Sequence, residues 1–267
     1  MRIGNRSQFA LAAKDLKDGI LSIHVWPMLG WLEIKQRYRR SVLGPFWLTI
    51  STGAMVGGMG PLYGRLLNLD ISTYFPFLAI GLVLWQFLAT IITDACTTFI
   101  SAEGYIKQIR LPFTVHVLRM VWRNLIIFAH NAVIVLLVML FWPPAMTWHL
   151  LMLPLAVLFI AINGIWIGLS LGLLCARFRD IPQIVGSVVQ IALFLTPVLW
   201  HAGMLGRNQW VVAWNPFYHF LEVMRSPLIA ATTNWFSWAA VLGITIVGYT
   251  AAFLLFARFR ARIAYWV

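Results

Sequence analysis

The chain has 267 residues, of which 61% are apolar and only 10% charged, and its mean hydropathy is +0.83. A soluble domain carries roughly 45–50% apolar and about 25% charged residues, so a water-facing globule and a disordered chain are both excluded. What remains is an all-α polytopic membrane protein. The charge is one-sided: 20 Lys and Arg against 8 Asp and Glu give a net +12 and a pI of about 10.5. Such a balance fits either nucleic acid or cations placed at membrane boundaries, and their positions decide between the two.

The first 40 residues carry Lys14, Asp15, Lys17, Asp18 and Glu33 with no clean apolar core. That pattern is not a cleaved signal peptide, and the first span is expected to act as the insertion signal. Asp15 and Asp18 read as part of an exposed amphipathic N-terminus. Residues 26–41, WPMLGWLEIKQRYRRS, place Trp31, Ile34 and Tyr38 at i, i+3 and i+7, with Glu33, Lys35, Arg37 and Arg40 on the remainder. This predicts an amphipathic helix lying in the interface. It serves either as an anchor for the first span or as a partner-binding surface, because anchoring alone does not call for Glu33.

Charge-free runs measure the spans. Residues 41–64, 71–93, 124–176, 181–206 and 226–257 carry no charge. A span needs about 20 residues, so 124–176 holds two, divided at Trp142-Pro143-Pro144 with Thr147 and His149 nearby. Six spans are expected, near 43–63, 74–95, 122–141, 151–175, 183–200 and 236–257. With both termini cytoplasmic, every basic residue except Arg65, Arg207 and Arg225 falls inside. That asymmetry follows the positive-inside rule and accounts for the pI without nucleic acid. Cys96 and Cys175 lie near predicted cytoplasmic ends, where a disulfide is not expected, and two isolated Cys make no metal pattern.

Between the second and third spans, residues 97–120 hold Glu103, Lys107, Arg110 and Pro112, enough for a short cytoplasmic helix. The turn after the fourth span reads Arg177-Phe178-Arg179-Asp180-Ile181-Pro182. Asp180 is suited to cap the next helix and Pro182 to its first turn. Two readings stand here: a capped turn with orienting arginines, or a knob that docks a cytoplasmic partner. Residues 201–235, with Trp210, Trp214, Asn215, Pro216, Tyr218, Glu222 and Arg225, are too broken to span and too apolar for a water-facing loop. One or two short external re-entrant helices are expected, with an aromatic interfacial belt as the alternative.

Several functions lack their parts. No charge lies in the middle third of a predicted span, which disfavours ion-coupled transport. His130, Asn131, Asn163 and Gln190 are the deepest polar groups and read as interhelical hydrogen-bond partners. A P-loop needs Lys followed by Ser or Thr, whereas the four lysines precede Asp15, Asp18, Gln36 and Gln108. The chain is therefore expected to have no ATPase site, no cofactor and no metal of its own. Its scattered carboxylates and histidines form no catalytic or metal-ligand pattern. The aromatics are 15% of the chain. They are expected mainly to pack, though together they could line a path on which sugar rings stack.

Four ordered blocks resemble the permease subunits of polysaccharide ABC exporters, which move O-antigen, capsule or teichoic-acid chains. They are EIKQRYRRSVLGPFWL at 33–48; Tyr74-Phe75-Pro76-Phe77-Leu78 with Gly81-Leu82; Arg177 to Ile181 with Gln183-Ile184-Val185 and Thr196-Pro197-Val198; and Trp214-Asn215-Pro216 with Glu222 and Arg225. The resemblance implies a homodimer in the inner membrane, paired with two cytoplasmic ATPase subunits that bind ATP and Mg. It implies coupling through Glu33, Arg37, Lys107, Arg110, Arg177, Arg179 and Asp180. It implies a path for a polyprenyl-diphosphate-linked glycan near Tyr38, Arg39, Arg40, Phe46, Trp47, Trp85, Phe87 and Trp122. An external gate would comprise Trp214, Asn215, Pro216, Tyr218, Glu222 and Arg225. O-antigen leads capsule and teichoic acid. A permease of the same architecture for drugs, lipids or heme is the other transport reading. A membrane enzyme on polyprenyl substrates would need outward carboxylates that the chain barely has.

Overall fold

The computed structural model describes residues 5–39, 44, 46–143 and 147–267. These residues form helices and no strands. In order they are α1 (Asn5–Leu21), α2 (Val25–Tyr38), α3 (Phe46–Leu66), α4 (Ile71–Thr97), α5 (Glu103–Gln108), α6 (Phe113–Phe141), α7 (Met152–Arg177), α8 (Ile181–Leu195), α9 (Pro216–Ile229), α10 (Trp235–Phe259) and α11 (Ile263–Trp266). Short 3-10 segments occupy Trp148–Leu151, Ala202–Trp214 and Arg260–Arg262. Arg40, Pro144 and the expected start of the first span at residue 43 lie outside the described residues.

Among the described residues, four segments are long and apolar enough to cross a membrane: Ile71–Thr97, Phe113–Phe141, Trp148–Arg177 and Trp235–Trp266. Two further predicted spans correspond to α3 and α8. α3 has 21 residues diluted by Gly53, Gly57, Gly58, Gly60 and Gly64. α8 has 15 residues and so measures about 22 Å, short of a hydrocarbon core of about 30 Å.

Local chemistry sets the boundaries. Asp70 caps α4, accepting from the Ser72 amide at 3.1 Å. Asn215 and Asn234 cap α9 and α10, accepting from the amides of Phe217 at 2.9 Å and Ser237 at 3.1 Å. Pro216 sits in the first turn of α9, where its missing N–H costs nothing. Asp180 departs from expectation. It stands at the N-cap of α8 with an α-region backbone and makes no side-chain cap, so Pro182 alone marks that start.

α4 is the centre of the bundle, packed by α3, α6, α7, α8 and α9. Small residues let α7 approach its neighbours closely, which is how helices associate where lipid removes the hydrophobic drive. Gly164 abuts Val121 and Ile91, and Gly168 abuts Val117 and Met120. Gly172 abuts Phe99, and Gly248 of α10 receives the Trp166 ring. Polar groups add cross-links. Asn163 donates to Thr245 Oγ1 at 2.9 Å and accepts from Trp166 Nε1 at 2.7 Å. Thr49 donates to Asn131 at 3.2 Å, and Tyr249 donates to the Ile162 carbonyl at 2.8 Å. Asn131 and Asn163 thus join helices as expected. His130 instead bonds within α6, to the Ile126 carbonyl at 2.7 Å, and Gln190 is exposed.

Candidate functional site

One end of the bundle gathers the ends of α4, α7 and α10, the start of α6, and the short helices α2 and α5. Its charges are paired across elements. The Glu33 carboxylate of α2 meets two arginines of α6: Arg119 Nη1 at 3.1 Å, and Arg123. Arg123 also reaches Asp94 of α4 at 2.8 Å, and Asn124 Nδ2 donates to the same oxygen at 2.9 Å. Arg119 is only 2% exposed. Two guanidinium groups therefore balance two carboxylates in a partly buried site, the arrangement that repays desolvation best.

Arg119 has a second neighbour. Its guanidinium lies over the Tyr105 ring of α5, 5.6 Å from the centroid. α2 and α5 thus share one side chain of α6. The sequence reading missed this centre: Asp94, Arg119, Arg123 and Asn124 were not among its candidates. A signal was present, because Arg119 and Arg123 are i and i+4 and share a helix face. Their partners are 29 to 90 residues away in sequence, which periodicity does not resolve.

Glu33 therefore faces the bundle, and its partners belong to this chain. On the same helix Gly30 and Ile34 are the buried positions, while Trp31 is exposed, so the packed face is narrower than the predicted stripe. Gly30 accommodates the Trp122 ring, which also meets Trp26 edge-on at 5.7 Å.

Other expected coupling residues stand outward. Arg37 and Arg39 are exposed at the end of α2, with Tyr38 half-buried between them. Lys107 pairs with Glu103 at 2.6 Å on exposed α5, and that ammonium holds the Glu103 carboxyl below its ordinary range. Arg110 lines a cleft of about 420 Å³ with Lys14, Asp18 and Ile106. Arg177 stacks on Phe178 and Trp266, and Arg179 donates to the Trp266 carbonyl at 3.2 Å. Asp180 is exposed.

The aromatics expected along a path separate into two groups. Phe46 and Trp47 are exposed on α3. Trp85 and Phe87 are buried inside the chain, Trp85 on Phe217 at 5.5 Å and Phe87 stacked on Phe128 at 4.3 Å.

At the other end, α9 is fastened beneath the end of α8. Asn215 donates to Thr196 Oγ1 at 2.9 Å. Buried Arg225 donates to the Pro197 carbonyl at 2.7 Å and pairs with Glu222 at 3.0 Å. It also lies 4.4 Å from the Phe77 ring centroid. Tyr218 is half-buried, and Trp214 projects, 81% exposed. Among the described residues no His, Cys, Asp and Glu group has metal-site geometry. Cys96 and Cys175 are buried free thiols.

The ends of the chain also differ from expectation. Asp15 is not part of an exposed N-terminus. Its side chain is fully buried between α6 and Arg260, because the start of α6 needs an acceptor that Pro112 does not supply.

Residues 25–229 match the model of the ABC-2 type transporter family. The chain is similar to two O-antigen export system permease proteins, RfbA, of Klebsiella pneumoniae. One is 23% identical over 76% of this chain and 79% of that protein. The other is 23% identical over 80% of this chain and 83% of that protein. A protein of the same name from Myxococcus xanthus is 24% identical over 63% of this chain and 65% of its own length. With a helical bundle of apolar spans and a family match over most of its length, this chain belongs to the ABC-2 type transporters.

Proposed function

We propose that the chain is the transmembrane subunit of an ATP-driven exporter for a polyprenyl-diphosphate-linked polysaccharide, with lipopolysaccharide O-antigen as the leading substrate. The three relatives named as O-antigen export permeases support the substrate class. In this reading two copies form the permease in the inner membrane, and two separate ATPase subunits bind ATP and Mg. Both termini are cytoplasmic. α3, α4, α6, α7, α8 and α10 are the six spans, α8 being completed by the turn residues 196–200 after it. α9 is the external re-entrant helix.

The observation that carries the coupling mechanism is Arg119 held between Tyr105 of α5 and Glu33 of α2. An ATPase pressing on α5 displaces Tyr105. The displacement reaches Arg119, and Arg119 is tied to α2, while its helix neighbour Arg123 is tied to α4. Rigid, packed helices with paired charges pass such a push to the spans as whole-body movement. Arg37, Lys107, Arg110, Arg177, Arg179 and Asp180 offer the surface to the ATPase. Glu33 acts behind that surface by positioning α2. Phe46 and Trp47, with Arg39 at the entrance, meet the glycan and its diphosphate. Trp85, Phe87 and Trp122 support the path from within the protomer. Trp214, Asn215, Pro216, Tyr218, Glu222 and Arg225 form the outer gate.

The test is reconstitution in liposomes with and without the ATPase, using lipid-linked O-antigen as substrate. Export only with the ATPase and ATP is expected. Full transport by this polypeptide alone, or an assembled complex that hydrolyses ATP and moves no lipid-linked glycan, overturns the reading.

A further inference from the structure

Asp15 and Arg260 both lie outside the segment that matches the family, residues 25–229. The fully buried Asp15 carboxylate accepts from the amides of Phe113 at 3.2 Å and Thr114 at 3.1 Å, and from Thr114 Oγ1 at 2.9 Å. It pairs with Arg260 through Nη2 at 2.7 Å and Nε at 2.8 Å. The first N–H groups of a helix need acceptors, and a carboxylate there also sits well in the helix dipole. The residue before α6 is Pro112, which makes no cap. Asp15 thus supplies the cap from another helix.

The contact is close. A Cβ on Gly19, one turn along α1, would come 2.6 Å from the Thr114 Cβ. Arg260 adds a stack over Phe113, 5.4 Å from its centroid. One carboxylate therefore joins α1, the start of α6 and the chain just after α10. Residues 109–112, which lead from α5 into α6, end at this clasp.

We propose that Asp15 is a positioning residue for energy coupling. It fixes the exit of α5 against the end of α10, so that a push on α5 moves α6 and α10 as one body. This rests on the exporter reading above. The clasp itself does not.

Two variants test it: Asp15→Asn, and Arg260→Gln, which keeps the α6 cap and so carries the test if the first variant does not fold. The complex with its ATPase is reconstituted in liposomes, and glycan moved per ATP hydrolysed is measured. Both variants are expected to assemble and hydrolyse ATP near the wild-type rate while that ratio falls about threefold or more. Backbone hydrogen exchange at residues 105–116 in nanodiscs is expected to quicken in both. Faster exchange with an unchanged ratio in Arg260→Gln reduces the clasp to a fold staple and overturns the coupling role. Unchanged exchange overturns the clasp. A wild-type complex that hydrolyses ATP without moving glycan refutes the exporter reading and the coupling role with it, while the exchange measurement still decides the clasp.

Discussion

Arg119 lies over the ring of Tyr105, and this contact is where exposed α5 meets the paired charges inside the bundle. A charge buried to that degree holds its position only while its partners stay in place.

Removing its carboxylate partner is therefore expected to be costly. Glu33→Gln leaves Arg119 buried and uncompensated, and a loss of about 3 kcal/mol is expected in unfolding of the detergent-solubilised protein. Glu103→Gln breaks only an exposed pair on α5, and its melting temperature should not move. Equal melting temperatures for the two variants would remove the claim that Glu33 is structural to the centre.

Tyr105→Leu keeps the bulk against Arg119 and removes the π face. Folding and complex assembly are expected to survive, while ATP turnover stimulated by glycan falls severalfold. A variant with wild-type stimulation would show that the ring contact carries no coupling.

The glycines of α7 provide a packing test. Gly168→Val forces a Cβ to within 2.6 Å of Val117 and is expected to destabilise by about 1–3 kcal/mol. Gly243→Ala in α10 meets nothing within 4 Å and is expected to leave unfolding unchanged or improve it. Thermal denaturation of both proteins in the same detergent separates the cases.

Arg225 fastens α9 through the Pro197 carbonyl, Glu222 and the Phe77 ring. Lysine cannot reproduce that fork. Arg225→Lys is expected to loosen α9, seen as faster thiol labelling of a cysteine placed at Val223, which is buried in the native chain. Unchanged labelling would count against Arg225 as the fastener.

The start of α4 should respond to acid. Hydrogen bonds from the Ser72 side chain and amide hold the Asp70 carboxyl below 3.8. The cap is complete above that value, because the carboxylate is ionised in both folded and frayed states. It is lost as pH falls through the lowered value and the carboxyl protonates. Exchange of the Ser72 and Thr73 amides, normalised for intrinsic rate, should rise in that acid range and lose its pH step in Asp70→Asn. A pH step that persists in the variant would assign it to another group.

Four of the six expected spans match segments long and apolar enough to cross a membrane, because charge-free length is a property of the chain itself. The break at Pro143 and the short helix within 97–120 were legible for the same reason: their signals are local. The status of Asp15 was not. On its own helix it is one of two acids beside two lysines, and only the arrival of the α6 N-terminus, 98 residues on, makes it a buried cap. Phe87 and Trp85 likewise offered no sign of whether their rings faced a path or a neighbouring helix.

By itself the sequence determined that this protein is a basic, helical membrane protein with no P-loop lysine, because composition and spacing are fixed before folding. Only the tertiary structure decided which of its few charges are partners. In a chain so poor in charge, a buried charge needs an opposite one beside it, and for Glu33, Asp94 and Asp15 that partner comes from another segment packed against them.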